Sequence, residues 1–177
     1  MNWGKKATFL VVAFMVAGCS AKQESIRPEI VPAVMKKENS YMLGTIGEVE
    51  PVYILPMKTA FPARIDTGAK RSSIDAKKIK TFERDGEKWV SFVMIERETG
   101  ETRKFEKELA DKVTVRRAGD KDSRYAVNMD VRIGQEVINN VEFTLANREG
   151  MDYQVLIGRN ILTGRAVVDT AQKNTLY

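Results

Sequence analysis

The sequence predicts an all-β domain, a sandwich or closed barrel with one short C-terminal helix, and three observations predict it. From residue 44 onward apolar and polar residues alternate with period two. Clusters of turn-forming residues break that alternation at intervals of about 8–12 residues, as in sandwiches and barrels. Only two short stretches, Ala76 to Lys80 and Asn160 to Gly164, carry a helical pattern.

Taken in order, Val52 and Ile54 begin a strand that stops at Pro56, and Ala63-Arg64-Ile65-Asp66 forms a second. Ser72-Ser73-Ile74 is a third. Lys88 to Ile95 and Thr102 to Phe105 flank Glu98-Thr99-Gly100-Glu101, a hairpin with Gly at its turn. Val113 to Arg116 and Tyr125 to Val131 flank a second tip, Ala118 to Asp122. Val131 to Ile133 and Val137 to Leu145 enclose a third turn at Gly134-Gln135-Glu136, and Val155 to Ile157 is the last strand. No internal repeat is present.

Composition narrows the chemistry. The chain has 177 residues, 43% apolar and 30% charged, enough for one folded domain with appendages. It contains no His and a single Cys. Ser-His-Asp and Cys-His mechanisms therefore lack their base, and no intramolecular disulfide is available. Catalysis must run on carboxylates, hydroxyls, amines or backbone. The formal charge of +5 falls by two once Lys5 and Lys6 are set aside with the leader described next, so a nucleic-acid partner is not supported.

Residues 1–18 have a basic start, Lys5-Lys6, and an apolar run from Ala7 to Gly18 that is too short to span a bilayer, which takes about 20 residues. The run ends in Val16-Ala17-Gly18-Cys19, which resembles the lipobox of bacterial lipoproteins. That resemblance implies cleavage before Cys19, acylation of Cys19 and a lipid anchor in the cell envelope. Ser20 is not Asp, which by similarity to Gram-negative sorting implies the outer membrane, facing the periplasm. Residues 19–43 read as the lipidated Cys and a tether of about 25–30 Å random-coil reach. A short amphipathic helix through Val31, Val34 and Met35 is the other reading of that stretch. Residues 44–177 form the domain.

Two segments carry chemistry. An apolar strand runs into Ile65-Asp66-Thr67-Gly68-Ala69, and a later one, Val155-Leu156-Ile157, breaks at Gly158-Arg159-Asn160 to open a helix. Alone, the first is a surface turn with Asp and Gly in their usual places, and the second an ordinary strand-to-helix corner. Together they resemble the retropepsin signature. The stretch from Tyr125 to Gly158 is similar to the bacterial retropepsin-like family of the RimB type, long labelled "ATP-dependent zinc protease". The resemblance covers about residues 46–170. The zinc and ATP of that label have no support here. Zinc wants Cys, His and carboxylates, while Gly158 to Gly164 has the wrong spacing for a phosphate loop and is followed by Arg165-Ala166. No metal and no cofactor is expected.

The resemblance implies a closed acid-protease barrel and an aspartic endopeptidase. Such enzymes need two carboxylates sharing one proton, and this chain has one D-T-G. Asp66 of each subunit of a homodimer would meet at the two-fold axis. Thr67 would bond across that axis, and Gly68 would let substrate approach the backbone. Ala69 lacks the hydroxyl with which a Ser could bond the carboxylate and favour its ionised form, which implies a shared proton that stays bound at higher pH and suits a near-neutral compartment. Thr67, Gly68 and Ala69 would support the catalytic loop, and Ile157, Gly158, Arg159 and Asn160 match the family's C-terminal motif that opens the helix. Asp169-Thr170-Ala171 resembles a second triplet but falls where the family has its C-terminal strand. Viral retropepsins put acidic residues after D-T-G-A, paired with the helix Arg; here Lys70 and Arg71 stand there, so Arg159 lacks that partner. Lys70 and Arg71 read either as solvated surface cations or as groups that hold an acidic peptide. The latter fits the family's association with trimming glutamate tails. The flap implied by the family is the Val113 to Val127 hairpin, with Gly119 at its tip, or else the Glu98 to Glu101 hairpin. Two other readings stay open: a retropepsin-fold lipoprotein that binds an envelope partner without cutting, and an unrelated β-barrel with a chance D-T-G.

Overall fold

The structure is a computed structural model that describes residues 41–117 and 120–176. The leader, Cys19, the tether up to residue 40 and Gly119 lie outside the described residues. Glu38–Tyr177 forms one compact unit.

Six strands close a barrel. Its order around the ring is β10 (Glu136–Ala146), β4 (Ser72–Asp75), β11 (Val155–Ile157), β3 (Phe61–Ile65), β2 (Val49–Ile54) and β9 (Asp120–Ile133), with β9 pairing back to β10. Closure removes the open sheet edges that invite aggregation. Strand β3 shows how the sequence dictates its own orientation. Phe61, Ala63 and Ile65 are buried, Pro62 is exposed and Arg64 half-buried, so the period of two aims one face inward. Phe61, Ile74, Val127, Met129, Phe143, Val155 and Ile157 join in one core.

Strand β9 is longer than the barrel needs. Its second half pairs with β10 on one edge and with β2 on the other, while its first half extends outward and pairs with β8 (Asp111–Arg117). The hairpin expected from Val113 to Val127 is thus continuous with the barrel wall through β9, while Ala118 and Gly119 of its expected tip lie outside the described residues. The turn at Gly134, expected from sequence, connects β9 to β10, and Gly134 adopts a φ of 58° there.

A separate three-stranded sheet holds β5 (Lys77–Arg84), β6 (Glu87–Ile95) and β7 (Thr102–Glu108). The helical turn expected at Ala76 to Lys80 is instead the start of β5. Its residues pair with β6 from Lys77↔Val93 to Arg84↔Glu87, with a register shift between Lys77 and Lys80 where Lys78 takes a φ of 53°. That bulge puts residues out of strict alternation, which is why the stretch imitates a helical period. Val90, Phe92, Met94 and Phe105 face the common core, with Phe92 stacked on Phe105 at 5.2 Å. The other face carries Trp89 and Phe82 under the Arg84 guanidinium.

The short helix expected near Asn160 is α1 (Arg159–Leu162), whose Ile161 and Leu162 are buried. Strand β12 (Val167–Val168) then pairs in parallel with β1 (Thr45–Ile46).

Candidate active site

Strands β3 and β11 lie side by side and parallel, in the register Val155↔Ala63, Leu156↔Arg64 and Ile157↔Ile65. They end together, so the residues that follow each, Asp66 and Gly158, emerge at one end of the barrel. The Asp66 N–H donates to the Ile157 carbonyl at 2.9 Å, which continues the pairing one residue further. The half-buried Asp66 turns its carboxylate back on its own loop. Oδ1 accepts the N–H of Gly68 at 2.8 Å and of Ala69 at 3.0 Å. Among the described residues nothing bonds Oδ2. A Cβ at position 68 would stand 3.2 Å from Oδ1, so Gly68 is the residue that leaves this carboxylate room.

The second motif locks the loop in place. The Arg159 N–H donates to the Ala69 carbonyl at 2.9 Å, and the Asn160 N–H to Lys70 at 3.3 Å. Arg159 Nη1 reaches the carbonyls of Thr67 at 3.0 Å and Gly68 at 2.6 Å. Lacking a carboxylate after D-T-G-A, this arginine grips the loop by its backbone. Asn160 Oδ1 accepts both the N–H and the hydroxyl of Ser72, and its Nδ2 donates to the Glu142 carbonyl. The Ser72 hydroxyl in turn accepts the Gly158 N–H at 3.0 Å. Gly158 has an ordinary backbone conformation, φ −100°. Space alone requires glycine there, because a Cβ would fall 2.7 Å from the backbone C and O of Arg71.

A cleft of about 450 Å³ opens beside this loop. Ala69, Lys70 and Arg71 line it from the loop, Val113, Thr114 and Arg124 from the β8–β9 hairpin, and Ser73, Thr144, Arg148 and Leu156 from the barrel. Asp66 and Thr67 are outside that lining; the loop runs from them into it. Of the two candidate flaps, the Val113 to Val127 hairpin borders the cleft, whereas the Glu98 to Glu101 turn joins β6 to β7 and contributes no lining residue.

The cations of the cleft differ in availability. Arg71 Nη1 is shared between Asp111 at 3.0 Å and Glu142 at 2.9 Å. It therefore ties the loop to the first residue of β8 and to β10. Arg124 Nε pairs with Asp122 at 2.7 Å. Arg148 is buried; its Nε donates to the Tyr153 carbonyl, its Nη1 to the Ser73 hydroxyl, and its N–H to the buried Asp75 carboxylate. Lys70 is exposed. Sequence reasoning missed Arg124, Arg148 and Ser73, because a lone Arg in a strand or just past one, or a Ser in a buried strand, has no spacing that marks it. Asp169, in the second triplet, spends its carboxylate on the Ala171 N–H and Gln172 Nε2 of its own turn. These bonds hold it below the ordinary carboxylate range, with the Gln172 contact the larger cause. Among the described residues no three of His, Cys, Asp and Glu stand together as metal ligands would.

A closed barrel in which a D-T-G-A loop and a Gly-Arg-Asn helix brace each other is the architecture of retropepsin-like aspartic endopeptidases. The model of one such family, the RimB-like family described as retropepsin-like aspartic endopeptidase RimB, matches residues 45–176, and the chain belongs to that family. Its solved structural neighbours include a Legionella pneumophila protein of unknown function, 29% identical, with a TM-score of 0.65 over 76% of this chain and 98% of that one. Curated relatives include a probable alpha-L-glutamate ligase of Desulfotalea psychrophila, 36% identical over 117 residues, which are 63% of this chain and 25% of that protein. A protein of the same name from Shewanella pealeana is 34% identical over 116 residues, 64% of this chain and 25% of that protein. The chain thus spans about a quarter of the length of these curated relatives.

Proposed function

We propose that the chain is a lipid-anchored aspartic endopeptidase that hydrolyses peptide bonds with Asp66 contributed by each of two copies. The observation that carries this reading is the Asp66 carboxylate itself. One oxygen is fixed by two backbone N–H groups, and the other is open among the described residues. Two such carboxylates brought together share one proton, since like charges at contact distance do not both ionise cheaply. The ionised one takes a proton from water as the water oxygen bonds to the scissile carbonyl carbon. The protonated one gives its proton to the carbonyl oxygen. Collapse of the resulting gem-diol breaks the C–N bond, and the leaving nitrogen takes up a proton from the dyad. Thr67, exposed at the loop's tip, is the residue that bonds across the axis.

The substrate class that fits is an acidic peptide. Lys70 offers an exposed ammonium at the cleft, and Arg71 can exchange Asp111 or Glu142 for a substrate carboxylate. The curated relatives support this, since they carry the matched region within proteins named for ligating glutamate. The ligase activity itself is not carried over, because the match covers only a quarter of those proteins. The lipid on Cys19 holds two copies on one surface and raises their effective concentration.

The test is incubation of the full chain with glutamate-rich and mixed peptides, wild type beside Asp66→Asn, followed by mass spectrometry. Cleavage by wild type at a rate at least 100-fold above the variant is expected. Equal product from both removes the proteolytic reading.

A further inference from the structure

Three strands lay one row of side chains along the cleft. Thr144 on β10 stands in register with Ser73 on β4, and Ser73 with Leu156 on β11, and all three line it. Their neighbours Phe143, Ile74 and Ile157 are in the barrel core, so the period of two turns the row outward. Ser73 and Thr144 are buried all the same. Thr144 donates its hydroxyl to the Ser72 carbonyl, whereas the Ser73 hydroxyl accepts Arg148 Nη1 at 3.1 Å. Arg148 Nε donates to the Tyr153 carbonyl at 2.9 Å. Both acceptors are neutral oxygens, so these two bonds fix the plane of the guanidinium and bring no opposing charge to it. Arg148 is only 8% exposed and still lines the cleft. The loop that bears it is held from behind. The buried Asp75 carboxylate accepts the Arg148 N–H at 2.8 Å and pairs with Arg97 Nη2 at 3.3 Å. Arg97 in turn donates to the Arg148 carbonyl at 2.6 Å and to the Met151 carbonyl at 2.8 Å. A buried carboxylate is costly unless paired and bonded, and both oxygens of this one hold the backbone of Arg148, directly or through Arg97.

We propose that Arg148 is a specificity-determining residue that receives a side-chain carboxylate of the substrate inside the cleft, and that Asp75 and Arg97 are the positioning residues that aim it. The proposal rests on the acidic-peptide reading above and assigns the selection to a residue other than Lys70 and Arg71. A nearly buried guanidinium is reached by the end of a side chain that enters the cleft, not by a peptide passing its mouth. Leu156 and Val113 give the methylenes of a glutamate side chain an apolar wall. The planar guanidinium matches the two carboxylate oxygens, and an uncharged amide in their place offers one acceptor and no charge. The exposed Lys70 ammonium, by contrast, attracts any anion and is screened by salt.

Peptide binding with cutting removed tests this. Two fluorescein-labelled peptides that differ only in Glu against Gln are titrated into the full chain carrying Asp66→Asn, with Cys19 retained, and read by fluorescence anisotropy. The Glu peptide is expected to bind at least about ten-fold more tightly. Adding Arg148→Gln is expected to bring that ratio below about three, and adding Asp75→Asn to lower it at least about three-fold. Circular dichroism melts establish that each variant folds. Arg148→Lys, which keeps the charge but loses the fork, serves if Arg148→Gln does not fold, and is expected to lower the ratio at least about three-fold. A merely structural role weakens both peptides alike, so a ratio unmoved in a folded Arg148 variant overturns the proposal. Equal binding of the two peptides, or none, before Arg148 is changed overturns it too. A ratio lost with Arg148 but unmoved in Asp75→Asn overturns the positioning role alone. The peptidase reading falls separately, on equal cleavage by wild type and Asp66→Asn.

Discussion

Gly158 and Asn160 show how much of the D-T-G loop is held from outside the loop itself. Gly158 is needed for its lack of a side chain, since the backbone of Arg71 occupies the space a Cβ would take. Gly158→Ala is expected to force the D-T-G loop away from α1 and cost about 1–3 kcal/mol, the usual range for overpacking, read from urea denaturation. Asn160 acts through three hydrogen bonds that no smaller side chain reproduces. Asn160→Ala leaves the buried Ser72 N–H and hydroxyl without their acceptor. A loss of about 1–3 kcal/mol is expected by the same measurement. Both residues stood out in the sequence only as parts of a motif. Their physical task, bracing a loop from the far end of the chain, depends on β3 and β11 lying in parallel register, which periodicity does not encode.

Among the elements, the β8–β9 hairpin depends most on a few side chains. It leaves the barrel at Asp111 and is tied there to Arg71, which also holds Glu142 on β10. Partly exposed pairs contribute little stability, each about 0–1 kcal/mol, so this tie governs local opening more than global folding. Arg71→Met is expected to speed amide hydrogen exchange several-fold across residues 111–117 and 120–126 while β3 and β11 exchange as before. Unchanged exchange in the hairpin would assign its position to the barrel wall alone. The hairpins, the Gly134 turn and the C-terminal helix were legible because alternation and turn residues are local signals. The stretch from Ala76 to Lys80 was not, since its bulge at Lys78 breaks the period on which the reading relies. The compensation of Arg71 by Asp111 and Glu142 was also hidden, because its partners lie 40 and 71 positions away.

At the scale of the whole molecule, Glu50 couples the tail to the barrel and makes stability respond to acid. Burial pushes this carboxyl up, but the Thr175 hydroxyl and the N–H groups of Gly47, Leu176 and Thr175 outweigh it, leaving it below the ordinary value of 4.5. A carboxyl lowered on folding adds stability that is fully present above that value and is lost as pH falls through the lower, folded value. Wild type is therefore expected to show a melting temperature that falls as pH drops below about 4.5, more steeply than in Glu50→Gln. Thermal melts between pH 3 and 7 check this, and parallel curves for the two proteins would remove Glu50 as the cause.

The parallel ending of β3 and β11 has a consequence for biogenesis. The loop that bears the carboxylate is braced by Arg159, which comes 92 positions after Thr67 and 91 after Gly68. A growing polypeptide that has reached Ala69 but not Arg159 has only the neighbouring Gly68 and Ala69 N–H groups to hold the Asp66 carboxylate. Contacts of such long separation form late. A chain that stops before Gly158 therefore carries the D-T-G loop without the frame that fixes it, and maturation of this end of the barrel waits on residues 157–160.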